Sequence, residues 1–360
     1  MAEKLEAKYS AATQLASRRI EYGEHDDPME VCFARGWSDG LPVTPPTDER
    51  ILRMLKGTTR APNEVIGRIP PYLAECTVEK VAINAVLAGC RPEYMPVLLA
   101  ALEAALEPVF TLHGVLATTY FSSPIVIVNG PIAKRIGMNS GLNALGQGNR
   151  ANATIGRALN LIVQNVGGGR PGEADRSTLG APSKFTCCFA EDESDPEWEP
   201  LSVARGFPRG ASTVTLFQGH AVEAFVDQKS RTPEALTRSL GMSLVKIGHP
   251  KLVQSARAVL VLSPEHYAIY REAGWDRRRI ERALHEATIR PGSELVAGAD
   301  GVGEGIPASR ANEQVPKFFE DGLMVVRAGG SAGLFSAILP GWLAGRKREE
   351  LQPVTKEVRA

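Results

Sequence analysis

The chain has no surplus of either charge: its 360 residues hold 41 Lys and Arg against 41 Asp and Glu, a formal net charge of zero. Proteins that bind polyanions or anionic surfaces use a field of one sign, so neither nucleic acid nor a membrane is expected as a partner. Long apolar runs are missing as well. Glu3, Lys4, Glu6 and Lys8 stand where a signal peptide would be apolar, and stretches such as 97–102 fall far short of the roughly 20 residues that cross a bilayer. A cytoplasmic protein is expected.

Cysteine is scarce. The five residues, Cys32, Cys76, Cys90, Cys187 and Cys188, are odd in number and irregularly spaced, which argues against a disulfide framework. No Cys-x-x-Cys and no His-Glu-x-x-His occurs, so the usual close-spaced zinc ligands are absent from the sequence. The dinucleotide fingerprint fails too, since its first glycine would fall on Ala328. The sequence therefore leaves the cofactor unidentified and holds no close-spaced metal motif, with Cys and His from distant segments as the remaining route to a metal site.

What the chain does have is turn-forming residues: 35 Gly and 25 Pro, with 43% hydrophobic content. This is the composition of a globular protein with many turns. Its length exceeds what one core usually supports, and an α/β protein of two lobes is expected. The first lobe, 1–230, is irregular and Gly-rich, with an amphipathic helical leader (Leu5, Tyr9, Ala12, Leu15, Ile20) and a Gly/Asn-rich loop. The second, 231–360, is a more regular α/β lobe with a largely parallel sheet. Helices are expected at 77–90, 92–106 and 152–165, and strands at 114–119, 125–129, 184–190 and 213–217. The last third alternates helices at 234–248, 264–274 and 276–288 with strands at 258–262 and 323–328, and a further helix follows Gly333. The segment 36–47, with Trp37, Leu41 and Val43 among its glycines and prolines, reads as an ordered loop that fixes packing.

Two glycine-rich segments are candidates for binding. In 141–152, flexible backbone, amides and one guanidinium precede a helix, as a carboxylate or phosphate site requires, which selects Asn149, Arg150 and Asn152; the plainer reading makes Asn152 a helix cap. In 325–333 a strand-to-helix turn at Gly329 and Gly330 either exposes N–H groups to an anion or simply packs tightly. Cys90, beside Arg91, is a candidate nucleophile because a neighbouring cation lowers a thiol pKa, and burial is its alternative. Of Cys187 and Cys188, which point to opposite faces of a strand, one at most lines a site; Cys188 is the candidate. His113 is placed as an acid or base at the entry to a strand, whereas His266 and His285 read as surface or packing residues.

The motifs Gly36-Trp37-Ser38-Asp39-Gly40-Leu41-Pro42-Val43-Thr44-Pro45-Pro46-Thr47, Asn129-Gly130-Pro131-Ile132 and 148–157 resemble a bacterial family of largely uncharacterised proteins. That family is associated with the UGSC domain, a small α/β module named for a selenocysteine-or-cysteine, Gly, Ser, Cys tetrapeptide. The resemblance covers most of the chain and implies thiol or selenol chemistry. The tetrapeptide itself is absent here, so the resemblance implies a small UGSC-type protein subunit as the carrier of the reactive group, and an oligomer.

Three functions follow as expectations. One is an enzyme, or the larger subunit of a two-component enzyme, that takes a small anionic substrate at Asn149 and Arg150 and uses a cysteine for bond cleavage or redox chemistry. Another is a metal-assisted hydrolase or lyase built on His113, Glu191-Asp192-Glu193 and His220. The third is a non-catalytic subunit whose leader helix and Trp37 loop dock a catalytic partner. Under the first, Arg150→Ala weakens binding of the anion roughly ten- to hundred-fold and leaves the thermal midpoint unchanged.

Overall fold

The computed structural model describes residues 15–255, 257–343 and 350–359. Larger elements begin where a side chain can satisfy the free N–H groups of a helix start. In the first half come α1 (Pro28–Ala34), α2 (Asp48–Leu55), the hairpin β1 (Val65–Ile69) and β2 (Ala74–Thr77), α3 (Val78–Ala88), α4 (Met95–Ala105) and α5 (Leu112–Ala117). Then follow β3 (Ser123–Asn129), α6 (Pro131–Arg135), α7 (Arg150–Asn165), β4 (Cys188–Ala190), α8 (Leu201–Ala204) and β5 (Thr213–Gly219). The second half holds β6 (Glu223–Val226), α9 (Pro233–Leu244), β7 (Ala258–Leu262), α10 (Pro264–Glu272), α11 (Arg277–Ala287) and β8 (Arg290–Pro291). It ends with α12 (Gly292–Leu295), β9 (Gln314–Val315), β10 (Leu323–Arg327), β11 (Phe335–Pro340) and β12 (Val354–Glu357). Thr77, Asn149, Thr232, Ser263 and Asp276 each accept a backbone N–H at the start of their helices.

The chain is α/β, and its two main sheets obey one pairing rule. The first runs β4-β3-β5-β12 and the second β10-β7-β11-β6. In each, the central strand pairs in parallel with one neighbour (β3 with β4, β7 with β10) and antiparallel with the other (β3 with β5, β7 with β11). A fourth strand then adds antiparallel to the latter. The fourth strands are exchanged: β6, which follows β5 in sequence, completes the second sheet, and β12, from the end of the chain, completes the first. The two crossovers meet at a bridge between Gly219 and Gly341. A Cβ on Gly219 would lie 2.3 Å from Ile125, and one on Gly341 would lie 2.4 Å from the Arg257 carbonyl, so the crossing admits only glycine without a shift.

The sheets pack face to face, with helices on both outer faces. Ile125, Ile127, Phe189 and Phe217 of the first meet Val259, Val261, Met324 and Leu339 of the second. Alternate residues point outward: Val126, Val128 and Leu216 to the core with α3, α4 and α7, and Leu260, Leu262 and Val325 to that with α9, α10 and α11. Strands buried on both faces need apolar residues throughout, which is why Ile125-Val126-Ile127-Val128 and Ala258-Val259-Leu260-Val261-Leu262 carry no alternation.

Glu191, just past β4, joins the layers. Its carboxylate accepts from Arg277 Nη2 (2.7 Å), Trp198 Nε1 (2.8 Å), the Leu201 N–H (2.7 Å) and Asn129 Nδ2 (2.6 Å). Both side chains of the ion pair are essentially inaccessible. The guanidinium of Arg277 lies over the Trp198 ring and donates to the carbonyls of Glu199 and Val325, so this pair ties the first half to α11 and β10.

Several expectations change. The C-terminal sheet is mixed, since only β7 and β10 pair in parallel. The two sheets do not divide at residue 230, because β6 and β12 cross over. A helix, Leu112–Ala117, overlaps the strand expected over 114–119: Leu112, Val115 and Leu116 are buried at helical spacing. The strand expected over 184–190 shrinks to Cys188–Ala190 after a 3₁₀ turn. Beyond Gly333 the chain enters β11 instead of a helix; Gly329, Gly333 and Leu334 take positive φ, which turns the chain back to lie antiparallel to β7. The leader helix falls largely outside the described residues, and the N–H groups of Ala16 and Ser17 are held by Glu79. Among the described residues no single helix is long and apolar enough to cross a membrane.

Removing one partner of a fully buried ion pair strands the other charge. Arg277→Met is expected to lower the unfolding free energy by about 3–5 kcal/mol in urea denaturation; a loss below about 1 kcal/mol would show that Glu191 is held adequately by its remaining donors.

Candidate functional site

The loop 137–149 is built by its own amides. Asn149 caps α7 through Oδ1 and donates to the Gly137 carbonyl. Asn152, 3% exposed, accepts from the Asn139 N–H and donates to the carbonyls of Asn139 and Ala144. Arg150, exposed at the first position of α7, turns its Nε to the Gly89 carbonyl at the end of α3 (2.9 Å). These three residues therefore shape the loop and join it to α3. The motif 36–47 is pinned to the same helix: Arg157 holds Asp39 in a two-pronged contact (2.7 and 2.8 Å), and Gln164 and Asn165 donate to the carbonyls of Gly36, Ser38 and Trp37.

Beneath α7 lie three of the cysteines. Cys90 is buried with its thiol directed to the Thr154 carbonyl, and burial pushes that thiol up to about 12. Cys187 is likewise pushed up to about 12 by burial, and Cys188 is raised well above the ordinary value by burial and its neighbouring thiols. A nucleophilic cysteine needs the opposite shift, so Arg91 does not activate Cys90. His113 is exposed on α5, not at a strand entry. His220 is buried edge-on to Tyr120 and Phe121, and burial lowers it to about 4. Among the described residues no three His, Cys, Asp or Glu converge as a metal ligand set.

The two glycine-rich segments, remote in sequence, do meet. The Gly329 N–H donates to the Ser140 carbonyl (2.9 Å), and a cleft of about 420 Å³ opens between residues 142–146 and 328–332, walled by Val261, Ser263, Phe335 and Ser336. It sits past the carboxyl ends of the parallel pair β7 and β10, where open α/β sheets bind ligands. A Cβ on Gly330 would stand 2.0 Å from the Leu142 side chain, and one on Gly333 2.4 Å from the Phe335 ring. These glycines thus let Leu142 and Phe335 lie against the turn. Gly329 and Gly330 form a wall of this cleft, not the start of a helix.

Behind the cleft wall, on the face of β11 that packs under α10 beside Phe225, Ser336 Oγ lies 2.7 Å from His266 Nδ1, and the other ring nitrogen, Nε2, lies 3.1 Å from the Asp227 carbonyl. A carbonyl oxygen only accepts, so Nε2 carries the proton and Nδ1 is left to accept from the Ser336 hydroxyl. The Ser336 oxygen in turn accepts from the Ser263 N–H (3.2 Å). His266 is fully buried, and burial holds its pKa below the usual imidazole value, keeping it neutral. Each part comes from a different element: His266 from the first turn of α10, Ser336 from β11, and Asp227 from the end of the exchanged strand β6. Sequence reasoning missed the set because His266 and Ser336 stand 70 residues apart; the signal available was Ser263-Pro264-Glu265-His266, a capped helix start directly after a buried strand.

Two larger hollows lack such an arrangement. One, of about 530 Å³, is bordered by Asp175 and Lys184, which satisfy each other at 2.5 Å; the other, of about 660 Å³, lies beside residues 15–22. No protein-family model and no curated protein matches the chain.

Two outcomes are expected. Iodoacetamide at pH 7.5 leaves Cys90 and Cys188 unmodified in the native protein and labels all five cysteines after denaturation, as peptide mass spectrometry would report; rapid native labelling of Cys188 would restore the thiol reading. Arg150→Ala lowers the thermal midpoint by a few degrees and leaves ligand binding unchanged, the reverse of the anion-site expectation.

Proposed function

We propose that the protein is an acyl-transfer enzyme, in its simplest form a hydrolase, with Ser336 as nucleophile and His266 as general base. The observation that carries this reading is the Ser336 Oγ to His266 Nδ1 contact of 2.7 Å, in the tautomer set by the Asp227 carbonyl, beneath the residues that line a cleft. It is the nucleophile, base and orienting group of serine catalysis, with a carbonyl in place of the carboxylate. The reading replaces cysteine with serine because the thiols are held protonated by burial.

Ser336 Oγ adds to the substrate carbonyl as its proton passes to His266 Nδ1. The imidazolium keeps its Nε2–H on Asp227 and returns the Nδ1 proton to the leaving group as the carbonyl–heteroatom bond breaks. Water, deprotonated by His266, then releases the acyl group from Ser336 as the acid. Backbone N–H groups of residues 330–333, in the turn that leads into β11, are the donors assigned to the oxyanion.

A fluorophosphonate probe is expected to label Ser336, located by peptide sequencing. Ser336→Ala and His266→Gln each lower 4-nitrophenyl butyrate hydrolysis by roughly a hundred-fold or more, within the range for a lost nucleophile or base. Circular dichroism and thermal midpoints check that both variants fold. A base must be neutral to work, so activity falls as pH drops through the His266 pKa; since burial lowers that pKa, the acid limb has its midpoint below about 6.5. Labelling at another residue, or Ser336→Ala with full activity, refutes the assignment.

A further inference from the structure

We infer that the protein has a second binding site, independent of Ser336: the cavity between residues 15–22 and α3 takes a small protonated amine with an apolar body. This cavity shares no lining residue with the cleft described above.

Its volume of about 660 Å³ is that of a ligand pocket, and it is bounded by α1, α2, α3, the 36–47 loop and the 15–22 segment. Most of the wall is apolar, with Ile20, Val31, Ile51, Ile83, Leu87 and Val166 among the lining residues. One lining residue breaks that pattern. Glu79, in the first turn of α3, is 4% exposed. Its carboxylate oxygens accept from the Ala16 and Ser17 N–H groups (3.0 and 2.7 Å), which ties the 15–22 segment to α3.

Among the described residues Glu79 has no ion-pair partner. The cations of the lining are placed otherwise: Arg19 pairs with Asp48 (2.6 Å), and Lys80 donates to the Glu75 carbonyl. Arg18 stands exposed, as does Glu21 of opposite sign. A carboxylate withdrawn from water without a counter-ion is costly. Two amide donors and the start of a helix offset only part of that cost, and a ligand ammonium supplies the missing charge.

A second unmet acceptor belongs to the same lining. Asn165 Nδ2 donates to the Trp37 carbonyl and to Asn84 Oδ1, which fixes the orientation of the amide, and its Oδ1 is buried without a partner. Both groups call for a donor, and an ammonium offers several together with positive charge. Trp37 and Tyr22, also in the lining, are aromatic rings of the kind that attract such a cation. The ligand class is therefore a primary or secondary amine on a compact alkyl or aryl body.

Isothermal titration of the full-length protein tests this with tryptamine, indole-3-propanol and indole-3-propionate, which share a ring and differ chiefly in the end group. Tryptamine is expected to bind roughly ten-fold or more tighter than either, the difference that one charge-assisted contact makes. Glu79→Gln removes the charge and weakens tryptamine by a similar factor. Because Glu79 also holds Ala16 and Ser17, a second variant leaves it in place: Ile83→Lys, one helical turn along α3, supplies an ammonium from within and abolishes tryptamine binding. Circular dichroism and the thermal midpoint check that it folds, and Ser336→Ala leaves the affinity unchanged. Equal affinity for amine and alcohol, no tryptamine binding by the unaltered protein, or normal binding by folded Ile83→Lys overturns the inference, and each leaves the serine assignment standing.

Discussion

The buried pair of Glu191 and Arg277 is the constraint around which this fold is arranged. A carboxylate and a guanidinium removed from water must find nearly all their hydrogen bonds within the protein. Here the donors and acceptors come from β3, the 191–201 segment, α11 and β10, which belong to both halves. The halves can take only one relative position if those bonds are to form together. The same position brings Gly329 to Ser140 and closes the wall of the cleft, so the site inherits its geometry from an ion pair that does not touch it.

Strand exchange has a similar effect. Each sheet is completed by a strand from the far side of the crossover, and Asp227, which sets the tautomer of His266, follows directly from exchanged β6. Local folding of the second half alone would leave out the 140–146 wall. A site assembled in this way forms only when the whole chain has folded.

Burial acts differently on the thiols and on the serine described above. A buried thiol becomes harder to ionise, since desolvation disfavours the thiolate, and Cys90, Cys187 and Cys188 all move in that direction. A buried serine with a buried neutral imidazole is different, because the serine proton is transferred only during reaction and neither group is charged at rest. The burial that raises the thiol pKa values thus leaves a neutral Ser–His pair undisturbed.

What the sequence by itself determined is local. Residues 125–129 and 258–262 are strands because uninterrupted apolar runs that short suit a sheet covered on both faces, and the helices at 78–88, 150–165 and 277–287 follow from caps and apolar spacing near the ends expected for them. The α/β class and the ordered 36–47 loop were legible for the same reason. Tertiary structure alone decided the rest. Whether the turn after β10 led to a helix or a strand depended on hydrogen bonds offered by β7, a partner some 75 residues away in sequence. The exchange of β6 and β12 left no periodic trace, because a strand reads the same whichever sheet receives it. Asn149 and Asn152 had the residue types of a binding site and became the scaffold of a loop, while His266, which looked like packing, gained a hydroxyl partner. The physical reason is common to all of these: a side chain's chemistry is set by its solvation and its partners, and both are fixed by contacts between residues far apart along the chain.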